Sequence, residues 1–181
     1  AKIESGSDNI SVLFTNIQKL KCGPYYIFSS PQVKQLQSDN LIKILPYLLK
    51  IQFYYSPEWF MKFIYLSTTS NSSISTYAYQ ICQQNLKNNN QKNQITKFLI
   101  ETINLGQESS IVFICLSLLY ECLDEFESND KNSDLEILHK IEFVAFLSLA
   151  SEDPMLRIIG NDLLIKANKV LQNSGFYSFA E

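Results

Sequence analysis

Ala150-Ser-Glu-Asp-Pro-Met-Leu-Arg157-Ile-Ile-Gly-Asn-Asp-Leu-Leu164 decides how this chain is read. Asp153-Pro154 is a helix start. A short side-chain oxygen can take a first-turn N–H, and proline's fixed φ suits the first helical position, where no donor is needed. Met155, Ile158, Ile159, Leu163, Ala167 and Val170 then recur at helical spacing. Upstream, Leu135, Leu138, Ile141, Val144, Ala145 and Leu147 do the same. Two helices joined by so short a turn predict an antiparallel pair. Arg157 lies one turn beyond Asp153 and is expected to pair with it or with an acid of a neighbouring unit.

Outward from this pair the pattern repeats. Ser56-Pro57-Glu58 restarts a helix whose apolar face is Trp59, Phe60, Phe63 and Ile64, and a polar stretch separates it from Ile74, Tyr77, Ala78, Ile81, Cys82 and Leu86. Lys87–Gln94 is rich in Asn, Gln and Lys and reads as a loop or frayed end. Ile95, Phe98, Leu99 and Ile103 mark the next helix, which Gly106 ends, and Ile111, Cys115, Leu118, Leu119, Cys122 and Phe126 mark a longer one. The first helices of the pairs begin near Pro57, Gln94 and Asp134, spacings of 37 and 40 residues. A period of about 40 with two helices per unit is the sequence sign of an α-solenoid. Strand signals are weak, with no run of strict alternation between hairpin turns.

The expectation is therefore an all-α domain of eight or nine helices over residues 1–181. Residues 57–86, 94–126 and 134–172 are the helix-pair repeats, and 8–55 is a less regular capping pair. Within the cap, Ile10, Leu13, Phe14, Ile17 and Leu20 form one helical face, and Pro46 splits a later run near Ile42. The turn with Asp153-Pro154, Arg157 and the apolar face that follows resembles the inter-helix turn of HEAT and armadillo-like repeats. The resemblance covers 134–172 well and 57–126 loosely. It implies a right-handed solenoid and a non-catalytic protein-binding scaffold or adaptor, a subunit or fragment of a multiprotein complex. It does not extend to the Trp/Asn ladder by which importin-type armadillo proteins grip basic peptides, since Trp59 stands alone.

Composition narrows the classes. The 181 residues are 46% hydrophobic and 18% charged, too apolar for a wholly disordered chain. No apolar run reaches the roughly 18 residues of a membrane span. No signal pattern and no initial Met is present, so a piece of a longer product is expected. Cys82, Cys115 and Cys122 occupy apolar helical positions and no C-x-x-C occurs, which points to free thiols in a reducing compartment, cytoplasmic or nuclear. The net charge of −3 conceals two halves: residues 1–100 carry ten Lys against four acids (+6), and 101–181 carry five basic residues against fourteen acids (−9).

No catalytic, cofactor or metal constellation is legible. His139, the single histidine, lies among Glu136, Lys140 and Glu142 and reads as a surface residue. No G-x-S-x-G and no Gly-rich phosphate loop occurs. The chain is expected not to be an enzyme and to need neither cofactor nor metal. An unrecognised helical enzyme or effector is the outlying alternative. Two surfaces are candidate partner sites. Glu121, Asp124 and Glu125 lead an acidic run of seven acids in sixteen residues, fit for a basic partner surface. Tyr25, Tyr26, Tyr54, Tyr55 and Trp59 crowd an aromatic N-terminal part whose doublets cannot both face inward, and exposed Tyr and Trp are favoured anchors. With Lys43, Lys50 and Lys62 nearby, that part could instead serve a superhelical adaptor reading phosphorylated or acidic tails. Nucleic acid is disfavoured, because no Arg accompanies those Lys. The opposed halves leave self-association open.

Overall fold

The computed structural model describes residues 41–43, 45–46, 48–50, 56–87, 92–104, 106–126 and 131–175, all within one compact unit spanning 40–181. The capping helix at Ile10–Leu20 and the tyrosines Tyr25, Tyr26, Tyr54 and Tyr55 lie outside the described residues. Among those described the fold is all-α. Its helices are α1 (Pro57–Ser67), α2 (Ser72–Leu86), α3 (Lys92–Asn104), α4 (Ser109–Cys122), α5 (Lys131–Ser148) and α6 (Pro154–Asn173), with a single 3-10 turn, Leu123–Glu125, after α4.

The boundaries follow local chemistry. Pro57 opens α1, and Asn71 caps α2 by accepting from the Ile74 N–H at 3.2 Å. Asp153 caps α6, its carboxylate accepting from the Met155 N–H at 2.9 Å. Gly106 follows α3 with φ of 68°, the left-handed conformation glycine adopts without steric cost. Lys92, in the stretch read as a loop or frayed helix end, is the first residue of α3, and its ammonium lies 3.7 Å above the Phe126 ring beyond the end of α4. One expectation shifts. Arg157 does not reach the Asp153 carboxylate. Its Nη1 donates to the carbonyl oxygens of Ser151 and Glu152 at 2.8 and 2.9 Å, tying down the turn that precedes its own helix.

The helices pack in sequential pairs, α1 on α2, α3 on α4 and α5 on α6. Between pairs, α3 meets α5 and α4 meets α6, while α1 and α2 both touch α4. Phe60 of α1 also meets Phe98 of α3 edge to face, ring centres 6.0 Å apart. The core runs along this order through Ile64, Ile81, Leu99, Leu116, Leu119, Ile141 and Leu163. Gly160 marks a close approach between α5 and α6. A Cβ there would lie 2.7 Å from the Ser148 Cβ and 3.1 Å from the Ala145 carbonyl oxygen. Buried hydroxyls are satisfied within their own helices: Ser67, Thr96, Thr102 and Ser148 each donate to the carbonyl four residues back at 2.7–2.9 Å. That satisfies polar residues at core positions locally, and Thr96 Oγ1 in addition lies 3.2 Å from Cys122 Sγ of α4.

Candidate functional site

The acidic candidates diverge once folded. Glu121, near the end of α4, is half-buried and fully engaged: the Tyr79 hydroxyl donates to Oε1 at 2.8 Å, and Gln83 Nε2 lies 2.7 and 2.6 Å from its two oxygens. It fastens α4 to α2 across 42 residues of chain. Burial, and then this carboxylate, push the Tyr79 phenol well above its ordinary pKa, so it keeps its proton and its donor role. Asp124 remains largely exposed and pairs with Lys166 Nζ of α6 at 2.7 Å. Lys166 also donates to the Tyr120 carbonyl oxygen at 2.9 Å, with its ammonium 4.0 Å from that residue's ring centre. The backbone of Glu125 lies in the 3-10 turn, and its side chain is outside the described residues. Trp59 of α1 is half-buried, with the Lys62 ammonium 4.6 Å above its ring.

His139 keeps to the surface in part. Its side chain is 25% exposed rather than fully solvated, and Nδ1 lies 3.3 Å from Oε2 of Glu142, whose side chain is 2% exposed. Glu142 was legible only as one of a polar set on the helix, because a charged side chain about two-thirds of the way along an amphipathic segment is ordinarily solvated. Cys82, Cys115 and Cys122 are buried thiols. Burial holds the Cys115 thiol up at about 12, and burial followed by Cys115 itself raises Cys82, so both stay protonated and unreactive. Among the described residues no group of three or more His, Cys, Asp or Glu is arranged around a metal position, and no helix is long and apolar enough to cross a membrane.

An open groove of about 570 Å³ runs between α6 and the end of α4, bordered by Tyr120, Asp124, Asp162, Ile165 and Lys169. His139 does not line it.

Sequence reasoning missed the exposed apolar side chains. Phe143, Phe146 and Leu147 of α5 and Met155, Ile158 and Ile165 of α6 are each about half exposed. Among the described residues every large apolar side chain of such exposure belongs to this last pair. The sequence pattern placed Leu147, Met155 and Ile158 inward. In the fold Ser148, Leu156 and Gly160 occupy those inward positions instead. The missed signal was a surplus. Helix α6 carries more apolar residues than one face can hold, and the excess falls at 155, 158 and 165, with the spacing of a second stripe.

Compared with protein-family models, with curated proteins and with solved structures, the chain matches none.

Proposed function

We propose that the chain is a non-catalytic protein-interaction scaffold, a right-handed HEAT/armadillo-like solenoid of antiparallel helix pairs, working as a subunit or segment of a multiprotein assembly in cytoplasm or nucleus. The observation that carries the reading is the distribution of apolar surface. Monomeric domains rarely leave large apolar side chains clustered on one element, and such clusters mark protein contacts. Here Phe143, Phe146 and Leu147 face solvent along one side of α5. The order of packing supports the architecture, since α3 on α5 and α4 on α6 is the neighbour relation of stacked helix pairs. The α5 stripe is the partner surface. Asp124, largely exposed, adds negative charge, so the partner presents basic residues as well as an apolar anchor.

The test uses the paired variant Phe143→Ser/Phe146→Ser. Partners recovered with the wild-type chain are purified and their affinities measured directly. Both side chains are exposed, so the variant keeps its melting temperature and loses on the order of tenfold or more in affinity, as for truncated interface anchors. Undiminished affinity for every recovered partner would remove α5 as the contact surface.

A further inference from the structure

Along α6 the residues at 155, 158, 162, 165, 169 and 172 are Met, Ile, Asp, Ile, Lys and Gln, and all six are exposed. The steps between them are 3, 4, 3, 4 and 3, the seam spacing of a helix that packs on another helix. At about 1.5 Å per residue the seam is roughly 26 Å long. The apolar members are open to solvent, Met155 at 54%, Ile158 at 57% and Ile165 at 61%. The seam is interrupted at two positions only by charge, and the charges are opposite: Asp162 and Lys169. The ion pairs among the described residues join His139 to Glu142, Lys140 to Glu136 and Lys166 to Asp124, leaving Asp162 and Lys169 without an intramolecular partner.

This pattern is its own complement. Two such seams laid parallel would stack Asp162 on Asp162 and Lys169 on Lys169, which repel. Laid antiparallel about a twofold axis near Ile165, they bring each Asp162 toward the Lys169 of the other helix, bury Ile165 against its counterpart and set Ile158 beside Gln172. We propose that this face of α6 docks a second copy of the chain, α6 against α6 in antiparallel, with Asp162 of each copy facing Lys169 of the other. The groove beside Ile165, bounded by Tyr120 and Lys166, provides room for side chains of the second copy at the edge of the seam. A single seam of this length buries less than the roughly 800 Å² per partner of a standard stable interface. The dimer is therefore a weak, reversible one. The seam is separate from the α5 stripe assigned above to a different protein, so either surface can fail alone.

Sedimentation equilibrium of the full chain from about 1 to 300 μM reads the association, and circular dichroism confirms that each variant is folded. The wild type shows a monomer–dimer equilibrium that weakens as salt rises, because the Asp162–Lys169 attraction is screened. Ile165→Asp, at an exposed position, abolishes the dimer. Lys169→Glu sets like charges opposite each other at two symmetric places and weakens it on the order of tenfold. The combined swap Asp162→Lys/Lys169→Glu restores it to within about threefold of wild type, since the exchanged charges again face their opposites across the twofold axis. A wild type that stays monomeric at 300 μM overturns the proposal. So does a dimer that survives Ile165→Asp, or one that Lys169→Glu weakens and the double swap fails to rescue, which would place the contact elsewhere or in another orientation.

Discussion

Helices α4 and α6 are both rich in apolar residues, yet they use them in opposite ways. Helix α4 touches α1, α2, α3 and α6, and it buries Ile111, Cys115, Leu116, Leu118, Leu119 and Cys122. Neighbours surround it, so almost any direction a side chain takes leads into the core. Among the described residues α6 packs chiefly on α5, α4 and the 3-10 turn. One stripe, Leu156, Gly160, Leu163, Ala167, Val170 and Leu171, is buried, and a second, with Ile158 and Ile165, faces solvent. Apolar content therefore foretells burial only where enough neighbours exist to cover it. Where they do not, the surplus becomes surface that another molecule can use.

The comparison can be broken most severely at α4. Leu118→Asp should unfold the chain: an unpaired carboxylate at a fully buried position costs several kcal/mol, against a total stability of roughly 5–15 kcal/mol. An unchanged melting temperature would mean that α4 is not the enclosed helix described here. Gly160→Leu attacks the buried stripe of α6. Its side chain would meet Ser148 and backbone of α5, so a loss of about 1–3 kcal/mol is expected in urea unfolding. Tolerance without loss would show that α5 and α6 separate freely.

Tyr79→Phe tests how α4 is fastened to α2. At neutral pH it should cost about 1 kcal/mol, the net value of one hydrogen bond, with Gln83 still holding Glu121. The pH dependence has a definite sign. The phenol's pKa is raised in the folded state, so in the wild type stability is intact below pH 10 and falls as pH rises above it, where the unfolded chain ionises first. The variant lacks this loss, and the gap between the two should narrow above pH 10. A gap that widens there would contradict the assigned hydrogen bond. The smallest effect belongs to the outer stripe of α6. Ile158→Ser should change the monomer's stability by less than about 0.5 kcal/mol, read by thermal unfolding in dilute solution. A larger loss would mean that the stripe is covered within the chain itself.

Much of the helical framework was legible in sequence, for local reasons. Pro57, Asp153-Pro154 and Gly106 act on the backbone within one turn of themselves, so they mark helix ends wherever the chain goes. The start of α3 was legible to within about two residues, but the contact of Lys92 with the Phe126 ring, far along the chain, is one that no local pattern names. Glu121 was read as an open contact residue for the same reason. Its composition and neighbours in sequence resemble those of Asp124, and only the arrival of Tyr79 and Gln83 from α2 makes it an internal tie. His139 was read as a surface residue, and it is part-exposed; what the sequence did not show is that its neighbour Glu142, three residues on along the same helix, is buried.

By itself the sequence determined that this chain forms helices and where most of those described begin and end, because capping, proline geometry and helical periodicity operate over a few residues. It also determined that α6 carries two apolar stripes. Which stripe turns inward was decided only by tertiary structure. Gly160 alone on that helix is small enough to let the backbone approach Ser148 and Ala145, and this contact rotates Leu163 and Ala167 into the core while leaving Ile158 and Ile165 outside.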